Sequence, residues 1–255
     1  MWGKQALWDP TTRVPLIIAA PWMKQSSATR YAPFFEMIDL FNTVVDLAGL
    51  PPPLDVNDGT SAAHAFAPAA LRRQSAAIQG KDAAFMQYPR CIKPTPSPPR
   101  FTDDAGINGN GSQAAPLWPP SLSEFDDHNP CTTGQQGQRT AFGWMGYSIR
   151  TIRWRYTVWL PWNGTSQTAE WEALPSVIPV VGTASAGAGV GSDVTATYQE
   201  LYAHGTGVRN GTDWHSFDNE GVNLAAVRPL PSAHAQAIVA LHGRLRAAVL
   251  SWNQR

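Results

Sequence analysis

Six histidines, two cysteines and two adjacent aspartate pairs are the side chains best suited to ligation or catalysis, and their spacing limits what each can do. His64, His128, His204, His215, His234 and His242 show no metal-ligand spacing; only His234 and His242 share a helical face, two turns apart, where partial exposure is the plainer reading. Asp103-Asp104 and Asp126-Asp127 are carboxylate pairs of the kind that hold hard cations, yet they lie in Pro- and Gly-rich sequence where such pairs are solvated turn residues. Cys91 and Cys131 are too few for a four-cysteine zinc site. Paired in an oxidising compartment they would close a loop of about 40 residues, worth roughly 3–4 kcal/mol. No G-x-S-x-G, H-E-x-x-H, C-x-x-C or G-x-G-x-x-G pattern is present. Asn110-Gly-Ser, Asn163-Gly-Thr and Asn210-Gly-Thr match the glycosylation sequon and are also ordinary Asn-Gly turns.

Composition narrows the classes further. Nineteen basic and nineteen acidic residues give a formal net charge of zero, so no field draws the chain to nucleic acid or an anionic membrane. At 255 residues and 43% hydrophobic content, the chain is long and apolar enough to bury a core. Its longest apolar run, 14–20, is far below the roughly 20 residues of a membrane span. Residues 1–13 have no signal-peptide pattern.

The elements that would position these residues follow from periodicity. The run from Val14 to Ala20, closed by Pro21, reads as a buried strand that needs neighbours on both sides. Residues 36–48 place Met37, Leu40, Phe41, Val44, Leu47 and Ala48 on one face and stop at Gly49, which predicts an amphipathic helix. Residues 62–78 are alanine-rich and predict helix over at least part of their length, and Ala84 to Tyr88 predicts a strand stopped by Pro89. Residues 89–141 hold nine of the 22 prolines and read as a surface excursion or a partly disordered insertion. Residues 145–159 predict a β-hairpin with one buried face, and Tyr198–Tyr202 a further strand. Residues 232–252, with Ser232 as N-cap and Ile238, Leu241, Leu245, Val249 and Trp252 in line, predict a closing helix. Five of the eleven tryptophans fall between Trp144 and Trp171, a concentration that fits core packing or a sugar-stacking platform.

Six sets of residues, Met1 to Ile17, Asp39 to Leu50, Asp58 to Ser61, Gln87 to Arg90, Met145 to Trp159 and Glu200 to Ala225, together resemble in their order the C-terminal portion of a sulfatase, most closely of the iduronate-2-sulfatase type. Trp2-Gly3-Lys4 followed by Val14-Pro15-Leu16 is similar to the family's H-G-x-W-x-K and V-P-L segments. Asp39-Leu40-Phe41-Asn42-Thr43 with Leu47-Ala48-Gly49-Leu50 resembles its D-L-x-P-T helix, with Asn42 in place of the proline, and Asp58-Gly59-Thr60-Ser61 its D-G-x-S loop. Gln87-Tyr88-Pro89-Arg90 and Met145 to Thr151, continued by Arg155 to Trp159, resemble the narrower iduronate-2-sulfatase group. Glu200-Leu201-Tyr202 and Asp218 to Ala225 are similar to the closing E-L-Y and D-P-x-E-x-x-N-L-A segments.

The resemblance implies an α/β, alkaline-phosphatase-like sulfatase fold, incomplete. Residues 1–80 would be the end of the catalytic domain, with the last strand and helix of its large mixed sheet. Residues 81–255 would be a C-terminal subdomain with a small antiparallel sheet and a packing helix. It implies hydrolysis of sulfate esters of a sulfated saccharide by a formylglycine nucleophile and a calcium ion. It also implies a secretory, lysosomal or extracellular location. The C-x-P-x-R and D-H-G segments that would supply nucleophile and calcium ligands are absent from these residues. Only Lys4 carries over, as an ammonium contact to a sulfate or ester oxygen; Arg13, just before V-P-L, reads as a surface residue. The expectation is therefore a chain inactive alone, with the missing N-terminal half of the enzyme as partner. The alternative is a non-catalytic module, sulfated-glycan-binding or partner-completing, that uses the tryptophan-rich 144–171 region and would lose glycan binding on Trp159→Ala or Trp162→Ala.

Overall fold

The computed structural model describes residues 6–23, 31–52, 58–67, 80–90, 143–172, 198–204, 220–227 and 229–252. It is a mixed α/β chain that divides into two compact units. The larger comprises Met1–Thr12, Met86–Ile149 and Arg153–Arg255; the smaller comprises Arg13–Phe85 and Arg150–Ile152. No helix among the described residues is long and apolar enough to cross a membrane.

The sheet contains β1 (Ala83–Arg90), β2 (Trp144–Thr151), β3 (Trp154–Asn163), β4 (Thr168–Ala169) and β5 (Gln199–Ala203). Its order is β1-β2-β3-β4, with β5 also on β3. Pro89, expected to stop the first strand, lies within β1; this strand is at the end of the order, where a missing N–H costs no central ladder bond. Two residues join β2 to β3, which makes them a hairpin. β3 pairs antiparallel with β5 (Arg155 opposite Tyr202, Thr157 opposite Glu200) and, at its far end, with β4 (Asn163 opposite Thr168).

The expected hairpin with one wet face is in fact covered on both, since every residue from Trp144 to Arg150 and from Arg155 to Leu160 is buried. On one side, helix α3 (Ser232–Trp252) packs on β3 through buried Ala235, Ile238, Leu241, Leu245 and Val249. The even positions of β3 face it: the Trp154 ring meets His234 at 5.8 Å, and the Tyr156 hydroxyl lies 3.0 Å from His242 Nδ1. The helix follows the predicted stripe, except that Trp252 is only half-buried. Ser232 is already its first residue, and the Pro231 carbonyl accepts from the His234 and Ala235 N–H groups, so Ser232 lies within the first turn and not ahead of it. On the other side, the odd positions of β3 meet residues 6–12, which end in the short helix α1 (Asp9–Thr12). Leu7, Trp144, Trp159 and Tyr198 form a core there. A Cβ on Gly146 would stand 2.6 Å from the Trp159 ring and 2.8 Å from Leu7, so a side chain at 146 would split this packing.

The smaller unit contains α2 (Asp39–Leu47), the 3-10 turn Ala63–Phe66 and a bridge between Phe34 and Lys81. Gly49, at φ 65°, closes α2 with its N–H on the Asp46 carbonyl. Two expectations are corrected here. Residues 13–20 form neither helix nor strand, and Ile17 is 92% exposed, so the buried strand does not form. The predicted inner stripe is exposed at Met37, just before α2, and points outward at Phe41 and Val44 within it, while Asp39 and Thr43 are buried. The reason is local: the polar side of α2 carries the hydrogen bonds that hold residues 58–62.

Candidate functional site

Strand alternation builds a polar cluster inside the larger unit. Residues 155, 157 and 159 of β3 share a face with 200 and 202 of β5 and with His204 just beyond it. Opposite them stand Trp8 and Asp9, and a loop brings Glu220. Arg155, 1% exposed at its side chain, donates from Nε to Glu220 Oε1 at 2.5 Å. Its other nitrogens donate to the Asp9 carboxylate, the Leu7 carbonyl, Thr12 Oγ1 at 3.3 Å and Met86 Sδ at 3.4 Å. His204 Nε2 lies 2.9 Å from Glu220 Oε1, and its Nδ1 is 3.8 Å from Asp9 Oδ2. The Asp9 N–H closes the ring on Glu220 Oε2 at 2.7 Å.

Beside this ring, buried Glu200 accepts from Trp159 Nε1 at 2.9 Å, the Tyr202 hydroxyl at 3.0 Å and Trp8 Nε1 at 3.3 Å. Burial, and next the Glu200 charge, hold the Tyr202 hydroxyl well above its ordinary range, so it stays a donor. Asn223 fixes the adjoining loop: its Oδ1 accepts from Leu201 N and Ala225 N at 3.0 Å each, and its Nδ2 donates to the Gln199 carbonyl at 2.9 Å.

Ligand-type atoms of Asp9, His204 and Glu220 lie within 4.8 Å of one another, close enough to ask whether they would hold an ion. Calcium takes six to eight oxygens, whereas this group offers two carboxylates already engaged by a guanidinium, and an imidazole nitrogen. A divalent cation would stand beside the buried Arg155 charge. The donor set does not fit calcium, and the cluster acts as an ion-pair lock joining residues 7–12, β3, β5 and the Glu220 loop.

A second lock lies in the smaller unit. Asp39 Oδ1 accepts from Thr60 N and Lys81 Nζ at 2.7 Å each, and Oδ2 from Glu36 N at 2.9 Å. Glu36 also takes Lys81 Nζ at 2.5 Å. Burial alone would lower the Lys81 pKa, but its hydrogen bonds to Asp39 and Glu36 outweigh that and raise it. Asn42 Nδ2 donates to the Gly59 carbonyl at 2.6 Å, and buried Thr43 Oγ1 accepts from Ala62 N at 2.9 Å. A Cβ on Gly59 would lie 2.1 Å from the Ile38 carbonyl oxygen, so only glycine fits there.

Of the residues singled out from sequence, Lys4, Cys91, Cys131, Asn110 and Asn210 lie outside the described residues, as do His128, His215 and both aspartate pairs. Arg13 is exposed. His64 packs edge-on to Tyr31 at 5.9 Å. His234 and His242 each meet an aromatic ring of β3, as packing residues. Trp144, Trp159 and Trp171 are buried, which removes Trp159 from any sugar-stacking platform. Sequence reading missed the Asp9–Arg155–His204–Glu220 ring because its members are up to 211 positions apart. The available signal was alternation: Arg155, Thr157 and Trp159 on one strand, and Glu200, Tyr202 and His204 on another, give two strands one polar face each. No protein-family model matches the chain, and no curated protein sequence matches it.

Proposed function

We propose that the chain is the C-terminal portion of a sulfatase of the iduronate-2-sulfatase type, supplying Lys4 and a folded scaffold to an enzyme that hydrolyses sulfate esters of a sulfated saccharide. The observation that carries this reading is which residues do the interlocking. The D-L-x-x-T residues Asp39 and Thr43 hold the D-G-x-S loop through Thr60 N and Ala62 N. The closing segments supply Glu200, Glu220 and Asn223, which tie β3, β5 and residues 8–9 together. Residues of the resembling segments thus supply part of each polar lock, together with Asp9 and His204 in one and Glu36 and Lys81 in the other, and this sharing supports the reading.

In this reading, the formylglycine and the calcium ligands lie in polypeptide other than these 255 residues. Calcium and formylglycine would neutralise sulfate oxygens and attack sulfur; the part of this chain is to hold the Lys4 ammonium toward a tetrahedral anion. The purified chain, given calcium and an aryl or uronate sulfate, is expected to release no sulfate above background. Turnover by the chain alone would overturn the placement of the nucleophile elsewhere.

A further inference from the structure

We propose that Asn163 is an acceptor for N-linked oligosaccharide whose glycan the folded chain accommodates without change to its hairpin. This goes beyond the sulfatase reading and rests on it for the secretory route alone. Asn163 is the last residue of β3, opposite Thr168, and residues 164–167 make the turn, with Gln167 at φ 55° completing the reversal. Asn163-Gly164-Thr165 is the one sequon of the three among the described residues. Thr165, whose hydroxyl the sequon requires, is exposed.

The amide is held so that the reaction uses only what the turn does not. Asn163 Oδ1 accepts from Thr165 N and Ser166 N, each at 3.0 Å, which fixes the side chain at the mouth of the turn. Nδ2 donates one hydrogen to the exposed carboxylate of Glu170, at 3.2 Å. An amide NH2 has two hydrogens. In glycosylation, Nδ2 bonds to C1 of the sugar and loses one proton to solvent; the bond from C1 to a lipid-linked pyrophosphate breaks, and the lipid pyrophosphate departs with the electron pair. One N–H remains for Glu170, and Oδ1 keeps both backbone donors.

The test is to secrete the full chain from mammalian cells behind a cleavable leader and map its peptides after enzymatic release of N-glycans in heavy-oxygen water. The expected result is a glycan on the Asn163 peptide and, after release, an aspartate there that carries heavy oxygen. Asn163→Gln and Thr165→Val should lose that glycan, whereas Thr165→Ser should keep it. A secreted chain with unmodified Asn163 would overturn the proposal. So would aspartate at 163 without heavy oxygen, which marks spontaneous Asn-Gly deamidation.

Discussion

Replacing Arg155 with methionine removes the guanidinium but keeps an unbranched apolar stem in the same space. The side chain is 1% exposed, and its charge lies against Asp9 and Glu220, whose side chains are 18% and 5% exposed. Deleting one partner of a buried pair leaves uncompensated carboxylates, a change that costs about 3–5 kcal/mol. The triple variant Arg155→Met, Asp9→Asn, Glu220→Gln neutralises what the single variant strands and should recover about 1–3 kcal/mol. Urea unfolding followed by tryptophan fluorescence reports on this unit, because Trp144, Trp159 and Trp171 are in its core. If Arg155→Met costs less than about 1 kcal/mol, or the triple variant is no more stable than the single one, the ring is not the lock described.

Two further outcomes follow from packing and burial. His242 is neutral in the fold: burial, with Arg246 nearby, lowers its pKa from 6.5 to about 4. Because the folded value is the lower one, the unfolded chain takes up the proton first, so stability is unaffected above pH 6.5 and falls by about 3 kcal/mol on acidification to pH 4. The pH slope of unfolding should flatten in His242→Gln over that window, and parallel slopes would sink the assignment. Trp159→Ala should destabilise the chain by about 3–5 kcal/mol in the same urea experiment. A stable Trp159→Ala chain that had lost only binding to sulfated polysaccharide would revive the glycan platform.

Local pattern made the closing helix and the β strands legible, because Ile238, Leu241, Leu245 and Val249 recur at helical spacing and residues 145–159 alternate. It misjudged burial wherever covering groups come from distant sequence. Nothing in residues 145–159 tells that Leu7 and Trp8 cover one face and α3 the other, so a two-sided strand read as one-sided. The same gap inverted α2: Met37, Phe41 and Val44 make an apolar stripe, but Asp39 and Thr43 turn inward because the Thr60 and Ala62 N–H groups need acceptors. Hydrophobic period records what a helix can bury, and the polar partners decide which side is held. The site was legible only as isolated letters, since Asp9, Arg155, His204 and Glu220 meet through strand register and a loop.

The most direct test of the sulfatase assignment is to read the frame preceding the Met1 codon, express it as one polypeptide with this chain in cells that make formylglycine, and measure sulfate release from nitrophenyl sulfate and a 2-O-sulfated uronate with calcium present. The expected result is an upstream C-x-P-x-R and D-H-G, sulfate release by the joined polypeptide, and its loss on Lys4→Ala. A frame without those segments, or a joined polypeptide that folds and releases no sulfate, would contradict the assignment.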